Sequence, residues 1–216
     1  MGQALSCSFM RSFVDTLAGK IMSEKDHLDN LDAACGDGDF GIGMYLGFKN
    51  VQETIEEQID NDIGALLVRT GRAILDSVGG ASGPLFGTLF IEMGEKVKGK
   101  TGIDLGDLAV MFEAALEKIR QRGKASAGDK TLIDALEPAT RSLADSASRE
   151  VGMLPALEAA AQAATRGCES TSELVARHGK ARYLGEQTLG HIDPGAYVVR
   201  IVFETLASTY SSSGSD

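Results

Sequence analysis

Apolar residues recur at intervals of three or four along most of the chain, a spacing typical of amphipathic helices. One apolar stripe covers residues 5–21 and another covers residues 44–55. Further helices are predicted at about 62–77, from Pro84, from a cap at Asp104 or Asp107, from about 131, and at 155–164 and 196–209. No convincing run of alternating residues, internal repeat or linker interrupts this pattern. We therefore expect a single all-α domain over residues 1–216, built from about eight helices.

Composition and charge narrow the functional classes. Four prolines, no tryptophan and 6% aromatic residues favour helix over sheet. The net charge of −10 opposes a general affinity for nucleic acid. Without a long apolar run or a signal-peptide pattern, we expect no membrane span and a cytoplasmic location, with Cys7, Cys35 and Cys168 as reduced thiols. The tail "SSSGSD", residues 211–216, is predicted to be disordered.

The segment "CGDGDFG", residues 35–41, has two interpretations. Its glycines match the G-x-G-x-x-G pattern of dinucleotide-binding loops, but the residues before them do not form the required apolar strand. With Asp32, the segment instead gathers three carboxylates, Asp32, Asp37 and Asp39, within eight residues. Such carboxylates repel one another unless a cation lies between them. Mg²⁺ is commonly coordinated by protein carboxylates and substrate phosphates together. A solvated acidic turn remains the alternative.

A second glycine-rich segment, "GGASGP" at residues 79–84, precedes a predicted helix. Its small residues and the positive end of that helix suit an anion, although a tight turn between helices explains the same residues. Together with the acidic segment, it suggests nucleotide phosphates bridged by magnesium. The stretches "RGKASAGDK" and "RHGKARYLGE" offer one or two cations to such a site. His191, Asp193 and Pro194 invite a catalytic interpretation, but Asp193 before Pro194 is also a good helix N-cap.

Four motifs then occur in a recognisable order: "LDAACGDGDFG", "SVGGASGPLFGTLF", "RGKASAGDKTLIDALEPA" and "GKARYLGEQTLGHIDPGA". They closely resemble the nucleotide-binding L subunit of dihydroxyacetone kinases from about residue 3 to about residue 210. The resemblance implies a closed barrel of eight antiparallel amphipathic helices with the nucleotide site in loops at one end. It implies magnesium ligands at Asp32, Asp37 and Asp39, with two ions expected. It implies nucleotide contacts at Phe40, Gly41, Ile42, Gly43, Ala81, Ser82, Gly123, Leu132, Lys180, Asp193, Pro194 and Gly195.

The same resemblance implies a kinase subunit that presents ATP or ADP with Mg²⁺ to a short ketose held on a separate K-type subunit. Some members of the family use ATP directly, whereas others keep an ADP that a phosphotransferase-system M subunit rephosphorylates. A homodimer or a hetero-oligomer is expected.

Two positions depart from the pattern of the family. Phe40 stands where phosphotransferase-dependent members often have His, and Gly43 stands where many have Asn. We expect these changes to alter nucleotide residence time or to favour a related ketose such as a tetrulose. Two alternatives to the kinase subunit stay open at this point. One is an ADP-loaded regulatory module that docks on a transcription factor or other protein, and the other is an acidic calcium-binding helical protein.

Overall fold

The helices predicted from the apolar spacing are present in the computed structural model, which describes residues 4–57, 61–80 and 82–213. Within these residues the α-helices are α1 (Cys7–Ser23), α2 (Lys25–Ala33), α3 (Phe40–Glu57), α4 (Ile63–Ser77), α5 (Ser82–Lys96), α6 (Leu105–Gly123), α7 (Ile133–Ser148), α8 (Met153–Ser170) and α9 (Pro194–Ser213). Two-residue strands β1 (Leu5–Ser6) and β2 (Gly102–Ile103) pair antiparallel, and 3₁₀ turns occupy Thr171–Glu173 and Ala181–Thr188. The all-α expectation is confirmed.

Local signals set several helix starts where the sequence predicted them. Asp62 caps α4, because its carboxylate accepts a hydrogen bond of 3.2 Å from the backbone N–H of Ala65. Asp104 caps α6 and forms a capping box with Asp107, so both predicted acids take part. Pro84 lies in the first turn of α5, where its missing N–H removes no helical hydrogen bond.

The helices contact one another in a closed order. Among the described residues, each helix from α3 to α8 packs on its successor, and α1 contacts both α3 and α9. This order is the one that a closed barrel requires, whereas the antiparallel orientation of all eight helices stays a prediction. Helix α2 lies outside the order and contacts α3 and α9. The fully buried phenylalanines of the core come from five helices: Phe13, Phe48, Phe86, Phe90, Phe112 and Phe203.

Glycines bring α4 and α5 into very close contact. A Cβ atom at Gly71 would lie 2.5 Å from the carbonyl oxygen of Gly87, and one at Gly64 would lie 2.6 Å from that of Gly94. The two glycines on α4 are seven residues apart, and so are the two on α5, so the contact repeats after two helical turns. The two backbones therefore touch over much of their length.

Two differences from the predicted elements are local. Leu5, placed in the first helical stripe, lies in β1 opposite Ile103. Helix α9 continues through Ser213, so the prediction of a disordered tail is wrong for residues 211–213, and residues 214–216 lie outside the described part. In the described residues, no helix combines the length and the apolar composition needed to cross a membrane.

Candidate functional site

A cavity of about 840 Å³ lies where four helices begin. Its lining includes the first residues of α3, α5 and α9 and the N-terminal end of α7. Helix N-termini carry partial positive charge and free backbone N–H groups, so their convergence suits an anion. The volume falls in the range of about 300–1,000 Å³ common for small-molecule sites.

Most of the residues singled out from the sequence line this cavity. They are Asp32, Asp37, Asp39, Phe40, Ile42, Gly43, Ser82, Gly123, Leu132, Lys180, Asp193, Pro194 and Gly195. Gly41 does not line it, and Ala81 lies outside the described residues. Of the basic residues in the two candidate stretches, Arg122, Lys130, His178 and Lys180 line the cavity, whereas Lys124 is exposed and does not.

The three carboxylates form one cluster at the edge of the cavity. Asp32, Asp37 and Asp39 each offer an oxygen, and these oxygens lie within 4.8 Å of one another. Burial raises the pKa of Asp32, and the neighbouring charges of Asp37 and Asp39 raise it further, although backbone hydrogen bonds oppose them. The carboxylate of Asp32 accepts those bonds from the N–H groups of Gly38 (2.8 Å) and Asp39 (3.3 Å). An all-oxygen, multiply charged cluster of this kind suits a hard divalent cation.

The glycines of the acidic segment shape the loop around Asp32. Gly38 has φ +75°, a left-handed conformation that side chains disfavour. A Cβ at Gly36 would overlap the carboxylate of Asp32, so a larger residue there would displace this acid. The G-x-G-x-x-G spacing therefore serves a tight acidic turn and not a dinucleotide loop.

Gly41 has a different role from its neighbours in the motif. A Cβ at this position would overlap the carbonyl oxygen of Lys25 on α2. Beside it, the carboxylate of Asp29 accepts a hydrogen bond of 3.0 Å from the N–H of Ile42 and pairs with Lys25 at 2.9 Å. Gly41 thus allows α2 to approach and hold the first turn of α3, which carries Phe40 and Ile42 into the cavity wall.

Lys180, just before the second 3₁₀ turn, reaches the carboxylate cluster. Its ammonium contacts the carboxylate of Asp37, and this contact lowers the pKa of Asp37 and raises the pKa of Lys180. The side chain of Lys180 is 69% exposed, so the ion pair is open to water. The preceding Gly179 has φ +63°, which turns the chain toward the acids. Position in the fold thus distinguishes Lys180 from the neighbouring basic residues.

The second glycine-rich segment exposes backbone at the start of α5. Gly80 has φ +66°, and a Cβ at Gly79 or Gly80 would meet no other atom within 4 Å. A Cβ at Gly83 would instead overlap the carbonyl oxygen of Val78, so the segment turns back tightly on itself. The turn therefore leaves open space over its first two glycines.

The two residues that depart from the family pattern lie side by side in this wall. The ring of Phe40 meets that of Phe86 edge to face, with centroids 6.4 Å apart. A Cβ at Gly43 would be 3.6 Å from Val78, an ordinary contact distance. The ring of Phe40 therefore packs partly against Phe86, whereas Gly43 leaves room for a small side chain beside Val78.

Asp193 caps α9 as one of the two sequence interpretations predicts. Its carboxylate accepts a hydrogen bond of 2.7 Å from the N–H of Ala196, and its own N–H donates to the hydroxyl of Thr171 (3.0 Å). Burial raises the pKa of Asp193 to about 7; the charge of Asp134 raises it and that of Lys130 lowers it. The residue thus fixes the helix start that forms part of the cavity wall.

Sequence reasoning did not identify the role of Lys130 or of Asp134. Lys130 is 5% exposed, and burial lowers its pKa. The carboxylate of Asp134 accepts hydrogen bonds from the N–H groups of Gly128 (2.5 Å) and Thr131 (2.7 Å), which holds the loop before α7. A lysine between Asp129 and Thr131 is typical of a solvated loop, so no local signal indicates its burial.

Comparison with known proteins gives a consistent result. The DAK2 domain family model matches residues 34–208. The ADP-binding subunit DhaL of the PEP-dependent dihydroxyacetone kinase of Escherichia coli (strain K12) is 42% identical over 193 residues, covering 89% of this chain and 92% of that protein. The corresponding subunit of the PTS-dependent kinase of Lactococcus lactis subsp. lactis (strain IL1403) is 36% identical, covering 87% and 89%.

A solved structure shares the fold. The dihydroxyacetone kinase of C. freundii, in complex with AMP-PNP and Mg²⁺, aligns with a TM-score of 0.72 and 28% identity. The alignment covers 96% of this chain and 35% of that one, so this chain corresponds to about a third of that kinase. The chain belongs to the DAK2 domain family, and its resemblance to the nucleotide-binding L subunit of dihydroxyacetone kinases is confirmed.

Proposed function

We propose that this chain is the nucleotide-binding subunit of a dihydroxyacetone-type kinase. It presents Mg²⁺ with ATP or ADP for phosphoryl transfer to a short ketose held on a separate K-type subunit. The observation that carries this proposal is the convergence, on one cavity, of three clustered carboxylates and the N-terminal ends of four helices. A phosphate chain bridged to the acids by magnesium satisfies both halves of that arrangement.

The carboxylate cluster fits the metal that the family relationship implies. Asp32, Asp37 and Asp39 supply only oxygen, and their oxygens are close enough to share a cation after small side-chain rotations. Bound magnesium would neutralise charge on the transferring phosphoryl group. The three acids together with nucleotide phosphates carry more negative charge than one divalent ion cancels, which supports two ions.

Each remaining part of the nucleotide has a matching surface in the cavity. The exposed backbone at Gly79 and Gly80 and the start of α5 face phosphate oxygens, and Lys180 adds the cation closest to the acids. Ile42 and Leu46, one turn apart on α3, line the cavity while 38% and 48% exposed. We assign this apolar wall to the adenosine, because a flat base covers such side chains well.

The ketose and its binding subunit lie outside this chain. The relatives that this chain covers over most of their length are named as subunits, which supports a K-type partner in a homodimeric or hetero-oligomeric assembly. A relative named PTS-dependent supports a phosphotransferase-system M subunit as one source of phosphate. A cytoplasmic location stays a prediction. The alternative of a regulatory module is not favoured, since these relatives are named as kinase subunits.

The proposal is tested on purified protein by denaturing it and quantifying the released adenine nucleotide. Nucleotide-free protein is then titrated with ADP and with ATP, each with and without Mg²⁺, by isothermal calorimetry. We expect either near-stoichiometric resident ADP or tight binding that depends on Mg²⁺. The absence of binding by both nucleotides in the presence of Mg²⁺ would overturn the proposal.

A matched pair of variants tests the metal ligands within the same titration. Asp37→Asn removes a charged oxygen ligand and is expected to weaken nucleotide binding in Mg²⁺ by about tenfold or more. Asp26→Asn removes an equally negative charge from an exposed ion pair with Lys25 on α2, and its affinity should stay within about twofold of wild type. Equal affinities in the two variants would reject Asp37 as a ligand.

A further inference from the structure

Lys130 lines the cavity, and no role has been assigned to it so far. It lies in the loop between α6 and α7, and its backbone has φ +58°, a left-handed conformation that is rare for a residue with a side chain. Such a conformation is strained and persists only where the surrounding contacts enforce it. The contacts that enforce it here are the hydrogen bonds of Asp134 to the loop on both sides of Lys130.

The side chain of Lys130 joins two distant segments. Its ammonium donates hydrogen bonds to the carbonyl oxygens of Thr171, just after α8, and of His191, just before α9. These carbonyls lie 41 and 61 residues along the chain from Lys130. A charged donor shared by two carbonyls, one in a buried and one in a part-buried contact, is a strong link between them.

The link continues directly into the nucleotide site. The hydroxyl of Thr171 accepts the N–H of Asp193, and Asp193 caps α9, whose first residues line the cavity. Gly195 in that first turn faces Leu132, which follows Lys130 by two residues; a Cβ at Gly195 would lie 3.4 Å from the Cβ of Leu132. One network therefore holds both sides of this wall.

A lysine is a costly means of holding two carbonyls. Its ammonium must be taken out of water, and burial accordingly lowers the pKa of Lys130. Cys35, Asp193 and Asp134 are the titratable groups that oppose this effect, and Thr171 and His191 contribute only backbone oxygen. An apolar residue would fill the same space without desolvating a charge, but it would leave both carbonyls without this donor.

We infer that Lys130 is a positioning residue of the nucleotide site, which holds residues 191–195 against Leu132 so that the start of α9 and the loop before α7 form one fixed wall. This inference rests on the proposed function. Lys130 makes no contact with the carboxylate cluster in the described structure. Its loss should therefore weaken nucleotide binding and leave cation binding by the acids intact.

The test compares Lys130→Met with Lys124→Met. Lys124 belongs to the same loop and is also left-handed, with φ +51°, but it is exposed and does not line the cavity. For each variant, the affinity for ADP in saturating Mg²⁺ is measured by calorimetry, and the affinity for Mn²⁺ alone is measured by paramagnetic resonance. Lys130→Met should bind ADP about tenfold or more weakly with an Mn²⁺ affinity within about twofold of wild type. Lys124→Met should match wild type in both.

A second pair of variants carries the test if Lys130→Met does not fold. Thr171→Val removes the hydroxyl that accepts the Asp193 N–H and donates to the carbonyl of Cys168, whereas Thr171→Ser keeps it. We expect weaker ADP binding in the Val variant and near wild-type binding in the Ser variant.

The outcomes separate this inference from the function on which it rests. Wild-type protein that binds no nucleotide in Mg²⁺ overturns both. Wild-type protein that binds ADP while Lys130→Met binds equally well overturns the inference alone. So does a parallel loss of ADP and Mn²⁺ binding in a folded Lys130→Met variant, because Lys130 would then support the cation site as well. Equal ADP affinities in the two Thr171 variants would also contradict it.

Discussion

At the scale of single residues, Asp37 is the point where we expect two kinds of cation to compete. Its carboxylate belongs to the cluster proposed to bind magnesium and also pairs with Lys180. An ammonium and a divalent ion cannot both take the same oxygen at full strength, so Lys180 has to yield part of its contact when a metal binds. The released ammonium then lies beside the proposed phosphates.

Lys180→Met should therefore change two affinities in opposite directions. Binding of Mn²⁺ alone should tighten by a few-fold, because loss of the ammonium frees the Asp37 carboxylate from an exposed ion pair. Binding of ADP in saturating Mg²⁺ should weaken by about tenfold, because a charge-assisted contact to phosphate is lost. Paramagnetic resonance and calorimetry measure the two quantities. A change of both affinities in the same direction would show that Lys180 does not compete with the metal.

Asp193 gives a prediction about pH and stability. Its pKa of about 7 in the folded protein exceeds the ordinary value of 3.8, so folding favours the protonated acid. Wild-type stability from this group is thus fully present below about pH 4 and is lost as the pH rises to about 7. Asp193→Asn keeps an N-capping side chain but does not titrate.

The free energy of unfolding of Asp193→Asn, relative to wild type, should therefore increase between about pH 4 and pH 7. The limit is about 1.4 kcal/mol for each unit of pKa difference. Urea unfolding with a chelator present measures it, so that no cation occupies the carboxylate cluster. Asp62→Asn, the matching change at the cap of α4, separates capping from titration. A constant difference between Asp193→Asn and wild type would contradict the shifted pKa.

At the scale of elements, the helices follow from the sequence more directly than their contacts do. The spacing of apolar residues predicts the stripes of α1 and α3, and Asp62 and Asp104 mark starts because capping is a local interaction. The pairing of Leu5 with Ile103 was not predicted, since two residues of strand carry no periodicity. Glycines on α4 and α5 also look like ordinary helix-weakening residues until the two backbones are seen to touch.

Gly71→Ala tests that contact against a matched change elsewhere. The added methyl would press on the backbone of α5, and we expect a loss of about 1–3 kcal/mol in the free energy of unfolding. Gly19 lies within α1, and a Cβ there meets nothing within 4 Å. Gly19→Ala should therefore stabilise the protein by up to about 1 kcal/mol. Urea unfolding measures both, and destabilisation by both substitutions to the same extent would refute the close contact.

At the scale of the whole molecule, the site is a place where distant segments meet. The acidic motif predicts clustered carboxylates because they are close in sequence, and resemblance to the family supplies Lys180 and residues 193–195. The burial of Lys130 had no such signal, because its partners lie 41 and 61 residues away. Asp193 shows a further limit of prediction from sequence, because a helix N-cap and a ligand contact favour the same residue type at the same position.

The net charge of −10 on the whole molecule affects how a nucleotide approaches this site. An anionic nucleotide approaches a protein that repels it at long range, so binding has to be coupled to cations and to the local positive charge of the cavity. The convergent helix starts and Lys180 supply part of that charge. The acids of the cluster supply none until a metal joins them, so we expect nucleotide affinity to depend steeply on free Mg²⁺.

The partly exposed pair Ile42 and Leu46 has a consequence for how the protein behaves outside the cell. Without a nucleotide these apolar side chains face water, whereas a bound adenosine would cover them. Nucleotide-free molecules would then aggregate and be lost during concentration and storage, whereas nucleotide-bound molecules would remain in solution. A purified sample would be enriched in the filled form, and the nucleotide that it carries would overstate the fraction of filled molecules in the living cell.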